Sequence, residues 1–256
     1  MSGPRTPEGR FPALQVSRAN GAAWVRLARG AAGNRIDLSL AQALCELTED
    51  LEFDESVAVV VLAASGPAFC LGVEDGGDWE QRADWVQGLA ALTRPVVAVV
   101  QGDAIAEGCE LALACDLRVV STGARFALPQ LREGRLPHHG GTQRLPRLVG
   151  RMRALDLILT GRPVDATEAE AIGLASRVAA PEELDRVAQE VVAGLCDMGP
   201  IALRYAKEAI LKGADMPLDQ GIRLEEDLYV LLQTTADRQE GVEAFLARRR
   251  PVFHGR

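Results

Sequence analysis

Apolar residues change their spacing several times along the first half of the chain, and each change marks an element. The short β-like runs "ALQVSRA" and "AWVRLA" flank "NGA", a turn signal, and predict an opening hairpin. From Asp37 to Asp54, Leu40, Leu44, Leu47 and Leu51 recur at helical spacing. The following "VAVVVLAAS" has almost no polar position and reads as a strand buried on both faces. The pattern then repeats. "DWEQRADWVQGLAAL" predicts a helix, Pro95 opens the buried strand "PVVAVVQG", and another helix begins near Glu107. "LRVVS" and "ARFAL" add short strands, and from Gly141 onward nearly everything reads as helix, ending with "RQEGVEAFLARRR". Alternating strands and helices followed by helices alone predict a layered α/β core with a C-terminal helical part.

Composition narrows the function classes. A chain of 256 residues can bury one large core. Its net charge of -8 gives no general reason to bind nucleic acid or an anionic membrane, so an anionic ligand must be met by local cations. The five cysteines are odd in number and form no C-x-x-C pair, which predicts reduced thiols and a cytoplasmic protein. No apolar run reaches the roughly 18 residues of a membrane span, and "MSGPRTPEGRFP" lacks the apolar core of a signal peptide.

Three stretches carry candidate chemistry. "SGPAFCLGVEDG", Ser65 to Gly76, follows a buried strand, and its glycines suit either a tight turn or backbone N–H groups aimed at an anion. In "QGDAIAEGCELALACDLR", Glu107 and Glu110 lie three apart at the start of the predicted helix. A favourable position at a helix start accounts for Glu107, but Glu110 precedes "LALAC" and looks buried. A buried carboxylate is costly unless paired or protonated, and that tuning is what a general acid/base needs. In "LPQLREGRLPHHGGTQRLPRLVG", His138 and His139 precede a Gly-Gly pair; no Cys or further His stands at ligand spacing, so no metal site is expected.

Together these stretches resemble the crotonase family, the enoyl-CoA hydratase/isomerase superfamily. "GPAFCLGVED" is similar to its A-F-(C/S)-x-G-x-D segment, and "RPVVAVVQGDAIAEGCELALACDLR" to K-P-V-I-A-x-V-x-G-x-A-x-G-G-G-x-E-L-A-x-x-C-D. "FALPQLREGRLPHHGGTQRLPRLVG" resembles the family's segment running from F-x-x-P-E to the helix after its Gly-Gly pair, and the match holds in register over residues 12 to 253. The resemblance implies a ββα spiral core over 12–200, a helical trimerisation region over 201–256, and a homotrimer or homohexamer. It also implies an acyl-CoA or acyl-carrier-protein thioester as substrate, with CoA belonging to the substrate and no separate cofactor. An oxyanion hole would be formed by the backbone N–H groups of Val73 and Glu107. The catalytic positions would be Glu110, Gln130 and His138. Asn34, Arg35, Ala68, Phe69, Cys70, Gly72, Arg248, Arg249 and Phe253 would contact the substrate.

Two departures stand out. Glu107 occupies a position that is usually glycine, although only its N–H is needed. Gln130 stands where the hydratase pattern has its second glutamate, and an amide cannot exchange protons near neutrality. His138, eight residues later, is a candidate replacement acid/base. Hydration of a 2-enoyl thioester is the leading expectation. Double-bond isomerisation, thioester decarboxylation and a non-catalytic acyl-CoA-binding paralogue are the alternatives.

Overall fold

A computed structural model of the chain describes residues 10–74 and 85–256. The beginning of the helix expected over residues 78–92, Gly76 of the glycine-rich segment, and the first nine residues of the N-terminal tail lie outside these.

The opening hairpin forms as expected from β1 (Leu14–Ala19) and β2 (Ala22–Leu27), turned by Asn20 and Gly21, both at positive φ. Helix α1 (Leu38–Phe53) starts where the Asp37 carboxylate accepts the Leu40 N–H at 2.8 Å, satisfying a donor with no partner inside the helix. It buries Leu40, Leu44, Leu47 and Leu51, the face expected from their spacing. Strands β3 (Val59–Ala64) and β4 (Val96–Val100) are buried at every position, and between them runs α2 (Trp85–Ala91). The sheet continues through β6 (Leu117–Ser121) to β9 (Arg177–Ala179), in the order β1-β2-β3-β4-β6-β9. Among the described strands of this sheet, β1 and β2 pair antiparallel and the other neighbours pair parallel.

Alternation in β3 explains why so apolar a strand is needed. Val60, Leu62 and Ala64 face the main core, shared with α1 and α2, whereas Val59, Val61 and Ala63 face a second cluster containing Leu184, Ala188 and Val192 of α7 (Leu184–Cys196). Neither face meets water.

After each long parallel strand the chain makes a second, short extended segment. Ile36 bridges Val73, Cys70 bridges Ala104, and β5 (Ala104–Ile105) pairs with β7 (Arg125–Ala127), which meets β8 (Val164–Asp165). Repetition of long strand, short strand and helix winds the core into a ββα spiral. Between β5 and β6 lies α3 (Glu107–Leu113); beyond β7 come α4 (Gly141–Val149), α5 (Arg151–Thr160) and α6 (Ala166–Ala171). Strands β8 and β9 interrupt a region expected to be nearly all helix. At two and three residues they are too short to show a period of two, and pairing with β7 and β6 creates them. The C-terminal helices α8 (Pro200–Gly213), α9 (Leu218–Gln233) and α10 (Ala236–Leu246) bury few side chains and leave Ile210, Leu218, Tyr229, Phe245 and Leu246 exposed.

Candidate active site

The site is built where β5 passes into α3. Ala106 makes the turn with φ 52° and ψ -121°, a conformation that costs a residue with a Cβ on the order of 1–3 kcal/mol. Its neighbours over-determine it. Ala106 N–H donates to Ala127 O at 2.9 Å, and its carbonyl accepts from Glu110 N–H and Cys109 N–H. Gly108 allows α3 to lie against the 70–73 loop, since a Cβ there would stand 2.1 Å from Cys70 O. All seven residues of α3 are buried, so the two carboxylates it carries are buried too.

Glu110 is held from three directions. Its Oε1 accepts the backbone N–H groups of His139 and Gly141, each at 2.8 Å. Its Oε2 accepts Gln130 Nε2 at 3.3 Å, from a 3-10 turn over Gln130–Glu133. A Cβ at Gly141 would meet Oε1 at 3.0 Å, so the glycine lets the backbone approach. The fully buried Trp85 stacks on the His139 ring at 4.8 Å and fixes the loop that supplies these donors. Burial is the largest influence on the Glu110 carboxyl and raises it to about 7; the nearby Glu107 charge adds to the rise, while the two backbone donors and Arg144 oppose it. A carboxyl poised near neutrality can both take and return a proton. Gln130 Oε1 is buried and has no hydrogen-bond donor among the described residues, so an acceptor stands open beside Glu110.

Glu107 faces the other way. Its Oε1 lies 3.1 Å from Arg135 Nη1, and its Oε2 accepts Val73 N–H at 3.3 Å. The structure therefore brings Val73, Glu107, Glu110 and Gln130 together, and Gly72, at φ 93°, passes beneath Glu107 Oε2.

Other expected positions lie elsewhere or do other work. His138 is exposed, stacked on His139 at 4.1 Å; it is the His139 backbone, and not the His138 ring, that reaches Glu110. Asn34 is fully buried: its amide donates to Ser65 O and Ala68 O, both at 2.8 Å, and its carbonyl accepts Arg29 N–H. It clamps the loop and has no exposed surface to offer a ligand. Phe69 and Cys70 point into the core, and burial pushes the Cys70 thiol up to about 12. Ala68 is buried as well, and Arg35 donates to Val73 O at 3.2 Å, bracing the turn that carries the donor. At the C-terminus, Arg249 pairs with Glu240, Phe253 lies against Gly199 and Gly241, and Arg248 takes a positive φ just beyond α10. None of the three has a described contact with the α3 site.

Sequence reasoning missed Arg135, the His139 and Gly141 backbone donors, and Ala106. An arginine in a loop has no periodic signature, and backbone donors are independent of residue type. Ala106 alone left a trace, as the residue before the Glu-Gly pair at the expected helix start. Among the described residues, no three His, Cys, Asp or Glu side chains gather into a metal-binding group.

The sequence model of the enoyl-CoA hydratase/isomerase family matches residues 17–256. The chain belongs to that family. The 2,3-dehydroadipyl-CoA hydratase of Escherichia coli is 34% identical over 95% of this chain and 99% of that protein, and the (E)-benzylidenesuccinyl-CoA hydratase of Thauera aromatica 34% identical over 94% and 98%. The crystal structure of the enoyl-CoA hydratase from Bacillus anthracis superposes with a TM-score of 0.92 at 33% identity, covering 95% of this chain and 100% of that one. Membership of the enoyl-CoA hydratase/isomerase family agrees with the motifs and with the ββα spiral.

Proposed function

We propose that this family member hydrates the double bond of a 2-enoyl thioester of CoA, with Glu110 moving the proton. The observation that carries the reading is the buried Glu110 carboxyl, raised to about 7 and fixed beside the open acceptor of Gln130. A water placed there donates one hydrogen to Glu110 Oε2 and the other to Gln130 Oε1. Its oxygen bonds to C3 of the acyl chain as Glu110 takes a proton, and the electron pair of the double bond moves to the thioester oxygen. The Glu110 carboxyl then protonates C2, so one water is added and the carboxylate is restored. Val73 N–H and Glu107 N–H serve the thioester oxygen while it is negative. Such donors are each worth on the order of 10²–10³ in rate, because they act on charge that develops only in the transition state. Gln130 positions and does not exchange protons.

The two named relatives are hydratases, of 2,3-dehydroadipyl-CoA and of (E)-benzylidenesuccinyl-CoA, which supports hydration over isomerisation. No cofactor is needed beyond the CoA of the substrate, and a cytoplasmic location fits the cysteine usage. The exposed apolar side chains of α8 to α10 favour a homotrimer or homohexamer, which light scattering at micromolar concentration tests; a monomer contradicts it. The function itself is tested by following absorbance of a short linear 2-enoyl-CoA with wild type and Glu110→Gln. The variant should lose about 10²–10⁴ in turnover while KM changes little. Equal turnover in the two proteins would remove Glu110 from the reaction.

A further inference from the structure

Beyond adding to the rise of the Glu110 carboxyl, the buried Glu107 carboxylate takes no part in moving the proton. The Val73 N–H assigned to the thioester oxygen is already engaged, and by an anion, Glu107 Oε2 at 3.3 Å. That oxygen stands 2.8 Å from where a Cβ on Gly72 would be, so it lies on the Gly72–Val73 turn itself. A thioester oxygen gaining negative charge beside an ionised carboxylate in a water-poor site would be strongly repelled. Both cannot hold the donor at once. The second partner of Glu107 is of another kind. Arg135 sits just after the 3-10 turn with a side chain 39% exposed, its Nη1 on Glu107 and its Nε and Nη2 on Glu133 at 3.1 and 2.8 Å.

We propose that the Glu107 carboxylate is a displaceable stopper on the Val73 donor, and that Arg135 is the arm onto which it withdraws when a thioester carbonyl arrives. The proposal rests on the oxyanion role of Val73 given above. Withdrawal exchanges a bond to a neutral N–H for a fuller contact with a guanidinium, so the buried carboxylate keeps a partner throughout. Selectivity follows. A ligand without a carbonyl at this point leaves the stopper seated, whereas the thioester oxygen of an acyl-CoA displaces it, with the displacement subtracted from its affinity. Glu107 and Arg135 thereby set how strongly the site separates acyl-CoA from free CoA. Gly72 is part of the device, since any side chain there would occupy the seat of the carboxylate.

Calorimetry on the full chain tests this with butyryl-CoA, a saturated thioester that cannot be hydrated, and with free CoA. Glu107→Ala keeps the backbone N–H and should bind butyryl-CoA about tenfold more tightly, the size expected when a charge-assisted hydrogen bond no longer competes. Free CoA should shift by less than about twofold, because it has no carbonyl to compete for the donor. Arg135→Gln should weaken butyryl-CoA binding about tenfold, Arg135→Lys should recover most of that loss, and in the Glu107→Ala background Arg135→Gln should have no effect. The proposal is overturned if Glu107→Ala binds butyryl-CoA no more tightly than wild type, or if the Arg135→Gln effect survives undiminished without Glu107. The two readings fail separately. Tighter binding by Glu107→Ala with no hydration of any enoyl-CoA would keep the stopper and discard the hydratase reading. Hydration with unchanged binding by Glu107→Ala would do the reverse.

Discussion

Glu110 and the C-terminal pair Glu240–Arg249 are both charged, both satisfied within the chain, and opposite in every other respect. Glu110 takes its partners from the 3-10 turn, from the loop before α4 and from the first residue of α4, twenty and more residues away, and has no exposed surface. Glu240 meets Arg249 nine residues along, at the exposed end of α10. Burial raises the Glu110 carboxyl to about 7, whereas the Arg249 guanidinium, aided by Val252 N–H, holds the Glu240 carboxyl down to about 2. A charge enclosed by distant segments is tuned by the whole fold. A surface pair is tuned by its neighbour and screened by solvent. The arginine cluster was expected to share substrate handling with α3; among the described residues Arg249 pairs with Glu240.

The contrast can be broken or sharpened by substitution, starting with the residues that enclose α3. Gly108→Ala would ordinarily favour a helix, but here the new Cβ would stand 2.1 Å from Cys70 O and force α3 from the loop. Overpacking of this kind costs about 3 kcal/mol, so Tm by calorimetry should fall by about 10 °C, with loss of activity. An unchanged Tm would mean that the enclosure is loose.

Gln130→Glu places a second carboxyl beside Glu110. Hydration should rise about tenfold as the second group shares the proton transfers, and the pH at which activity reaches half its maximum should move upward as the two carboxyls repel. A fall in hydration would show that the amide acceptor itself is required.

Protonation of Glu110 gives a third test. Its folded value, about 7, lies above the ordinary 4.5. The stability it contributes is complete below 4.5 and is lost as pH rises through about 7, because the folded state disfavours the ionised form. Glu110→Gln, which stays neutral, should therefore raise Tm relative to wild type by about 5 °C at pH 8 and hardly at all at pH 4.5. In wild type, hydration should increase with pH through about 7, since the carboxylate takes the first proton. A flat profile would place the tuned group elsewhere.

Arg249→Ala is the smallest change. With Arg249 exposed and Glu240 only partly covered, Tm should move by less than about 2 °C at neutral pH. A larger loss would mean that this pair is enclosed in solution, by another subunit or by the substrate.

Much of this was legible along the chain. Leu40, Leu44, Leu47 and Leu51 announced α1 because one buried face imposes a period of 3.6. The unbroken apolar runs of β3 and β4 announced strands covered on both faces, and Glu110 looked buried because its neighbours were apolar. Gln130 could be assigned to Glu110 through the resemblance, and their contact at 3.3 Å agrees with it. Tertiary structure decided what depends on pairing and on backbone. Strands β8 and β9 exist because β7 and β6 supply hydrogen-bonding edges, and no two- or three-residue run states that by itself. Asn34 was expected to contact the substrate, and the folded chain buries it fully in the loop it clamps. The His139 and Gly141 donors are backbone groups, invisible to any reading of side chains. The seat of the Glu107 carboxylate, between Val73 N–H and Arg135, was hidden for the same reason: the sequence shows that a carboxylate replaces a hydrogen at this position, but only the folded chain determines what that carboxylate faces.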